Sequence, residues 1–545
     1  MLAVFLALLP VGSPSVRPQA PGSGQTQPQK AAKRPTKAPQ PEVVPPPAAW
    51  PNQLVYAAGI VPRGLNPLLN RNGWNEVSSL ILGRLFRPDH RGGIERDLVE
   101  SWRVRAEGRI YDLKLREDVY WHDGEPFTAD DVFFTWQKLF SVDTQTSLDL
   151  NQAMLVSHRQ TGKYEIEFEL KAPDTGFLAA LTEIPILPEH ILKYEDINGT
   201  AFDEHPIGTG PYKLVMQKDG REYHFARHEK YHLGRPAFDT LVIRVIPDDD
   251  ERARAVAAGE VDLAQVKPPH IEMLRTAGAR LYRMRTGAWR GMPLNLQRAA
   301  LADSRVRQAI DLAINREAVV REALAGYGSA AYSPIPPASW AYREEMNTRR
   351  YDPERAAQLL DTAGWHRENG ASPRKKNGTA LALELIVWKD EFFRRTAAQV
   401  IARQLGAVGI TVNLHLVDGP TYNRLADNMD DEYDAYIGGW GGLLDPGDNL
   451  YKKYHSKGSQ NRTGYSNRDV DKWIEEARRT TDRQKATDIY ERIVRQITED
   501  AVFLPLAYPD YVFASRADLA GIGEFTLDSW YEFTKYAAEW APANR

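Results

Sequence analysis

Between Leu381 and Leu416 the hydrophobic pattern changes period twice. Leu381-Ala-Leu-Glu-Leu-Ile-Val387 alternates with period two, which predicts a strand. Ala397, Val400, Ile401 and Leu405 then recur at helical spacing within 392–405. After Gly409 the run Ile410-Thr-Val-Asn-Leu-His-Leu416 alternates again. Strand, helix and strand of these lengths form a βαβ crossover, right-handed by the twist of the strands. In open α/β sheets ligands sit beyond the carboxyl ends of the strands. The segment that begins Trp388-Lys389-Asp390 is therefore the first pointer to a site.

Other stretches carry equally local signals. Tyr164-Glu-Ile-Glu-Phe-Glu-Leu170, Arg221-Glu-Tyr-His-Phe-Ala-Arg227 and Thr240-Leu-Val-Ile-Arg-Val-Ile246 read as strands. Thr128-Ala-Asp-Asp131 opens a helix as a capping-box variant, with Asp in place of Glu. Asp352-Pro353 starts another, with Asp as N-cap and Pro at the first helical position, and Gly364 ends it. The pattern is mixed α/β without a short repeat, and 545 residues exceed what one core holds, so at least two lobes are expected.

Composition narrows the chemistry. There is no cysteine, which removes disulfides, thiolate metal sites, Cys nucleophiles and a lipid anchor on Cys together. A formal charge of −4 gives no reason to invoke nucleic acid. Leu2 to Val11 is apolar but too short to span a bilayer. Residues 1–12 fit a signal-peptide h-region, although no Lys or Arg precedes it, and predict export to the periplasm or beyond. Residues 13–49 are rich in Pro, Ala and Lys, and eleven of the 36 prolines fall in the first fifty residues. Such a segment cannot bury enough apolar surface to offset its ordering entropy, so a disordered tether is expected there.

A set of motifs then occurs in order from about residue 52 to the C-terminus. They include Leu65-Asn-Pro67, Asp97-Leu-Val-Glu-Ser-Trp102, His122-Asp-Gly124 followed by Thr128-Ala-Asp-Asp-Val132, and Ile207-Gly-Thr-Gly-Pro-Tyr-Lys-Leu214. Arg305-Val-Arg-Gln-Ala-Ile310, Tyr351-Asp-Pro353, Ala363-Gly-Trp365, Gly439-Trp440 with Asp445-Pro446, and Phe503-Leu-Pro-Leu506 complete it. This ordered set resembles the peptide- and nickel-type solute-binding proteins of ABC importers. The resemblance implies a two-lobed α/β Venus-flytrap fold with two hinge crossings. One lobe would hold 50–290 with 505–545, the other 291–504, with crossings near Met292-Pro-Leu-Asn295 and Phe503-Leu-Pro-Leu-Ala507. It also implies a monomer without cofactor, an organic ligand such as a short peptide, and ABC permease transmembrane subunits as partners. His122-Asp123-Gly124 then reads as a turn between strand and helix.

In the family a carboxylate three positions after the Gly-Trp tryptophan captures the ligand's amino end. Here Trp440-Gly441-Gly442-Leu443-Leu-Asp445-Pro446 places Leu443 there. Either Asp445 or Asp448 substitutes, or the ligand presents no ammonium. Trp388 and Trp440 offer flat apolar area. Lys389, Arg394 and Arg395 are candidates for a ligand carboxylate, Arg by a bidentate pair. Tyr332 precedes Ser333-Pro-Ile-Pro336, a stretch that faces the cleft in similar proteins.

Three other classes stay open. His228-Glu-Lys-Tyr-His232 spells the zincin pattern, which requires a helix. The alternating run before it and Gly234-Arg-Pro236 after it predict a loop instead. Thirteen Trp, 24 Tyr and many carboxylates would suit a glycosidase, but no local motif selects an acid–base pair. A ligand sensor of the same fold would differ only in its surface partners.

Overall fold

The crossover forms as the strand Ala382–Trp388, the helix Phe392–Ala407 and the strand Thr411–Val417, paired parallel from Ala382 opposite Thr411 to Trp388 opposite Val417. Leu383, Leu385 and Val387 share one core with Ala397, Val400, Ile401 and Leu405 of the helix. Ile386 points to the other face, against Tyr422 and Leu425 of the helix Gly419–Asn428. Helices thus cover both faces, as a parallel sheet requires. Gly409, at φ +91°, makes the left-handed turn out of the helix. The strand Ala435–Tyr436 adds in parallel on the other edge of Ala382–Trp388.

This computed structural model describes residues 52–69, 74–146, 155–199, 201–368, 373–428, 433–441, 444–523, 525–527 and 530–543. The expected signal run and tether lie outside the described residues, as do Gly442 and Leu443.

A second sheet has eight strands. Gln53–Ala58 lies near its centre, parallel to Thr240–Val245 on one side and to Leu263–Val266 on the other. Glu222–Arg227 and Tyr212–Lys218 extend it antiparallel beyond Thr240–Val245. Tyr511–Ser515 and Arg280–Thr286 extend the opposite side, and Thr526–Leu527 closes it. A separate four-stranded antiparallel sheet contains Val99–Arg105, Ile110–Leu115, Glu165–Leu170 and Leu155–Gly162. Glu165–Leu170 buries Ile166, Phe168 and Leu170 and leaves its glutamates toward water, as the alternation predicts.

The hydrophobic cores divide the chain in two. Residues 54–284 and 512–540 supply two clusters, and residues 289–508 supply three others. The molecule is a two-lobed binding-protein fold whose chain passes between lobes more than once. Trp289–Pro293 and Phe503–Pro509 pair antiparallel beside these passages, with Gly328–Ala330 and Gly438–Trp440 as outer strands.

Several motifs are devices of this packing. Thr128 caps the helix Ala129–Leu139, and the Asp131 side chain accepts from the Thr128 backbone N–H at 2.9 Å, closing the box. Asp352 caps Pro353–Thr362 as its sequence predicts. His122-Asp123-Gly124 is a turn, with Gly124 at φ +100°. Gly208 and Gly210 press on the backbone of Leu80 and Ile81, where a Cβ would overlap the carbonyls. The Gly210 N–H donates to Ile81 O at 2.8 Å, and Gly208 O accepts from the His122 N–H at 2.9 Å. The Gly-Thr-Gly sequence is therefore a demand for close backbone approach.

Candidate functional site between the lobes

Trp388 stands at the carboxyl end of the central parallel strand, half-buried. Its ring stacks on Tyr422 at 6.1 Å between centroids, and Gly419 leaves room for it. The turn that follows ends in Glu391, whose side chain caps the helix Phe392–Ala407 by accepting the Arg394 N–H at 2.8 Å. One turn along, the Arg394 guanidinium lies over both rings, 5.1 Å from Trp388 and 4.7 Å from Tyr422. The side chain is 14 % exposed, and its nearest carboxylate oxygen, on Glu391, is 4.0 Å from Nε. Nε and Nη1 are buried without a hydrogen-bond partner among the described residues. Leaving a buried charged donor unmet is expensive, so such a group marks a place for an acceptor.

The strand Trp289–Pro293 brings Arg290 to the same place. It faces Gly439 across the strand pair, and a Cβ there would overlap its guanidinium. That guanidinium lies 5.9 Å over the Phe393 ring. From the other lobe, Lys267 follows the strand Leu263–Val266 and lies within electrostatic reach of Arg290 and Glu391. Burial lowers the pKa of the Lys267 ammonium below its usual value.

Trp440 is half-buried and folds back over Gly438. Its ring packs 4.6 Å from Phe503, 5.1 Å from Trp289 and 6.2 Å from Tyr436. Gly441 is exposed, and its carbonyl accepts from Asn449 Nδ2 at 2.9 Å. Asp445 caps the helix Pro446–Tyr454 through the Gly447 N–H at 2.9 Å. Asp448 pairs with Lys452 at 2.8 Å. Lys389 is exposed, and its carbonyl accepts from Arg395 at 2.5 Å. Tyr332 donates to Glu317 at 2.7 Å and takes the Arg316 guanidinium on its ring at 5.0 Å, away from the Trp388 group in these contacts.

Asp445 belongs to a second meeting of the lobes. Arg478 Nη2 reaches Asp174 Oδ2 at 3.1 Å, and the Thr175 N–H donates to Arg478 O at 3.0 Å. Gly176 packs against the Asp445 carboxylate, where a Cβ would overlap it. Desolvation, then the Asp174 and Asp448 charges, push the Asp445 carboxyl up to about 7, with Arg478 acting in the opposite sense.

The zincin pattern does not form its helix. Residues 228–234 make turns. His228 Nδ1 faces Gly210 O at 3.2 Å, whereas His232 Nε2 pairs with Asp97 Oδ1 at 2.8 Å. Burial pushes His228 down to about 4. Among the described residues no cluster of three His, Asp or Glu is placed to hold a metal ion.

Sequence reasoning placed Trp388 and Arg394 together and missed Arg290, Lys267, Tyr422, Glu391, Asp174 and Arg478. Their one sequence signal was the Gly438-Gly439 pair, since consecutive glycines in a strand mark close approach by another group.

The profile of the bacterial extracellular solute-binding proteins, family 5 Middle, matches residues 93–462. The chain belongs to that family. It is 30% identical over 475 residues to the oligopeptide-binding protein AppA of Bacillus subtilis, covering 85% of this chain and 87% of that protein. The structure of AppA in complex with a nonapeptide superimposes with a TM-score of 0.73 at 28% identity, over 90% of this chain and 99% of AppA. NikZ of Campylobacter jejuni in complex with Ni(L-His) gives 0.78 at 27% identity, over 90% and 99%. This solute-binding protein therefore shares lobes and order with relatives whose ligands differ widely. Among its described residues no helix is long and apolar enough to cross a membrane.

Proposed function

We propose that this chain captures a short peptide or similar polar organic solute between its lobes and delivers it to the transmembrane subunits of an ABC permease. It acts outside the cytoplasm after export, as a monomer, and carries out no bond chemistry itself. One lobe comprises 50–290 with 505–545 and the other 291–504.

The observation that carries this reading is Arg394. Its guanidinium is held between two aromatic rings with two nitrogens unmet. A ligand carboxylate placed there gains a charge-assisted pair whose donor is already oriented. Lys267 reaches the same region from the opposite lobe, so a ligand touching both is held only when the lobes are together. Ligand then shifts the population toward the closed form, which the permease distinguishes from the open one. AppA in complex with a nonapeptide and NikZ in complex with Ni(L-His) share this frame, so the frame admits unlike ligands.

The test is thermal unfolding of the full chain against short peptides, oligosaccharides and metal ions, with each compound's mass read afterwards. A ligand at about a hundred times its dissociation constant adds roughly 2.7 kcal/mol. Stabilisation by a compound recovered intact is expected. Recovery of a cleaved compound would overturn the reading.

A further inference from the structure

The site around Arg394 holds more positive charge than one carboxylate offsets. Four cations, Lys267, Arg252, Arg290 and Arg394, gather about two acids, Glu391 and Asp249, beside Asp427, whose charge is offset by Arg462 at 3.4 Å. Asp249 is already paired with Arg252. Glu391 spends one oxygen capping its helix. A third acid, Glu76, sits nearby but accepts from Tyr56 OH at 2.8 Å, and burial pushes it up to about 8, so it is protonated at neutral pH. The cluster keeps an excess of two positive charges.

The excess is built in. Arg394 is fixed by Trp388 and Tyr422. Arg290 needs a residue without a side chain opposite it, and Gly439 supplies that. Neither the Arg290 guanidinium nor the Lys267 ammonium forms a hydrogen bond or ion pair with another described residue. A merely solvated surface would not explain three such groups from two lobes and the strand Trp289–Pro293 converging on one place. Like charges brought together when lobes close repel unless something of opposite sign lies between them.

We infer that the solute carries at least two anionic groups, one held by Arg394 and the other shared by Arg290 and Lys267. This rests on the solute-binding reading above and narrows it to organic dianions: acidic peptides, polycarboxylates or phosphorylated compounds. Guanidinium forks suit carboxylate and phosphate alike. A second anionic group bridging Arg290 and Lys267 would tie the strand Trp289–Pro293 to the opposite lobe, so charge recognition and closure become one event.

The experiment titrates the full chain with matched probes and follows tryptophan fluorescence and thermal unfolding. The probes, each with two anionic groups, are acetyl-Glu, succinate and 3-phosphoglycerate, set against the neutral acetyl-Gln-amide and glycerol and the monoanion acetyl-Gln. These doubly anionic probes should bind at least tenfold more tightly than the neutral ones, and the better of the carboxylate and phosphate arms names the source. Arg394→Gln should weaken acetyl-Gln and the dianions alike. Arg290→Gln and Lys267→Met should each weaken the dianions about tenfold and leave acetyl-Gln nearly unchanged. Equal binding of neutral probes, or dianion binding indifferent to both substitutions, overturns the inference. A second readout needs no ligand: Arg290→Gln should raise the unfolding temperature of the free chain at low ionic strength, and the rise should vanish in high salt. An unchanged or lowered temperature shows that the charge is compensated and likewise overturns it. Failure of every compound in the wider panel, with that rise present, counts against solute capture and not against the charge excess.

Discussion

The lobes meet in two regions of opposite character. Around Arg394 the side chains are basic, aromatic-backed and unmet. Around Asp445 they are acidic and their charges are paired within the protein, with Arg478 Nε and the Tyr490 hydroxyl buried without a hydrogen-bond partner among the described residues. Arg478 pairs with Asp174, Asp445 caps a helix and Asp448 holds Lys452. Gly439 meets Arg290 in the first region, and Asp445 belongs to the second. Both regions contain charged residues that a sequence scan would rank equally. What separates them is whether each cation already has a close counter-charge: Arg478 has Asp174 at 3.1 Å, and Arg394 has only Glu391 at 4.0 Å. A latch completes itself; a binding site is left incomplete until its ligand arrives.

The largest effect should come from the incomplete region. Arg394→Ala should weaken solute binding roughly a hundredfold, since a hydrogen bond to a charged group contributes about 1.5–3 kcal/mol. It should lower the unfolding temperature only slightly, because the guanidinium makes no side-chain hydrogen bond among the described residues and is held by the faces of Trp388 and Tyr422. Calorimetric titration beside a melting curve checks both. A large loss of stability would make Arg394 a structural group and erase the contrast.

At the latch, Arg478→Ala should weaken affinity about tenfold by leaving Asp174 and Asp445 without their cation. The open form should become more populated, seen as a larger radius of gyration in solution scattering. An unchanged radius would mean that the latch does not govern closure.

Protonation sharpens the same comparison. Burial, then the Asp174 and Asp448 charges, raise the Asp445 carboxyl from an ordinary 3.8 to about 7, and the Asp174 share of that rise comes from the other lobe, so the proton on Asp445 favours the lobe contact. That contribution to the contact is lost as pH rises toward 7. The groups facing it are Asp174, Asp448, Arg478 and Tyr490. Affinity should fall severalfold across that window, and Asp445→Asn should flatten the trend while keeping a helix cap. A profile as steep in the variant would assign the pH dependence elsewhere.

Trp440→Ala should lower affinity by less than tenfold, as its ring shares its faces with Trp289 and Phe503 and each aromatic pair adds about 0.5–1.5 kcal/mol. Unchanged affinity would remove this loop from the site. The smallest effect on binding is expected from Thr128→Ala, which should cost about 1 kcal/mol of stability through the lost cap and leave affinity untouched.

Much of the fold was legible because its signals are short. The alternation in 381–387 and 410–416, the caps at Thr128 and Asp352 and the left-handed Gly409 each depend on a few neighbouring residues. The zincin spelling was rejected by its flanks, and the turns at 228–234 agree. The site was legible only where it stayed local. Trp388 and Arg394 sit six positions apart and fall together once a strand leads into a helix. The motif beside Trp440 offers Asp445 or Asp448 as a ligand carboxylate, and only the fold adds that an Asp445 oxygen caps a helix and that Asp174 and Arg478 face it.

By itself, then, the sequence determined the elements, their caps, the close-packed glycine motifs and membership in a two-lobed family. Those follow from periodicity and backbone sterics, which act within a few residues. Only the tertiary structure decided which charges are spent and which are left over. Arg290 finds Gly439, Lys267 finds Glu391, and Asp174 finds Arg478, each across more than a hundred positions, because sheet pairing and lobe contact set those distances. Electrostatic energy depends on separation in space and on burial, and neither is written in the order of residues along a chain.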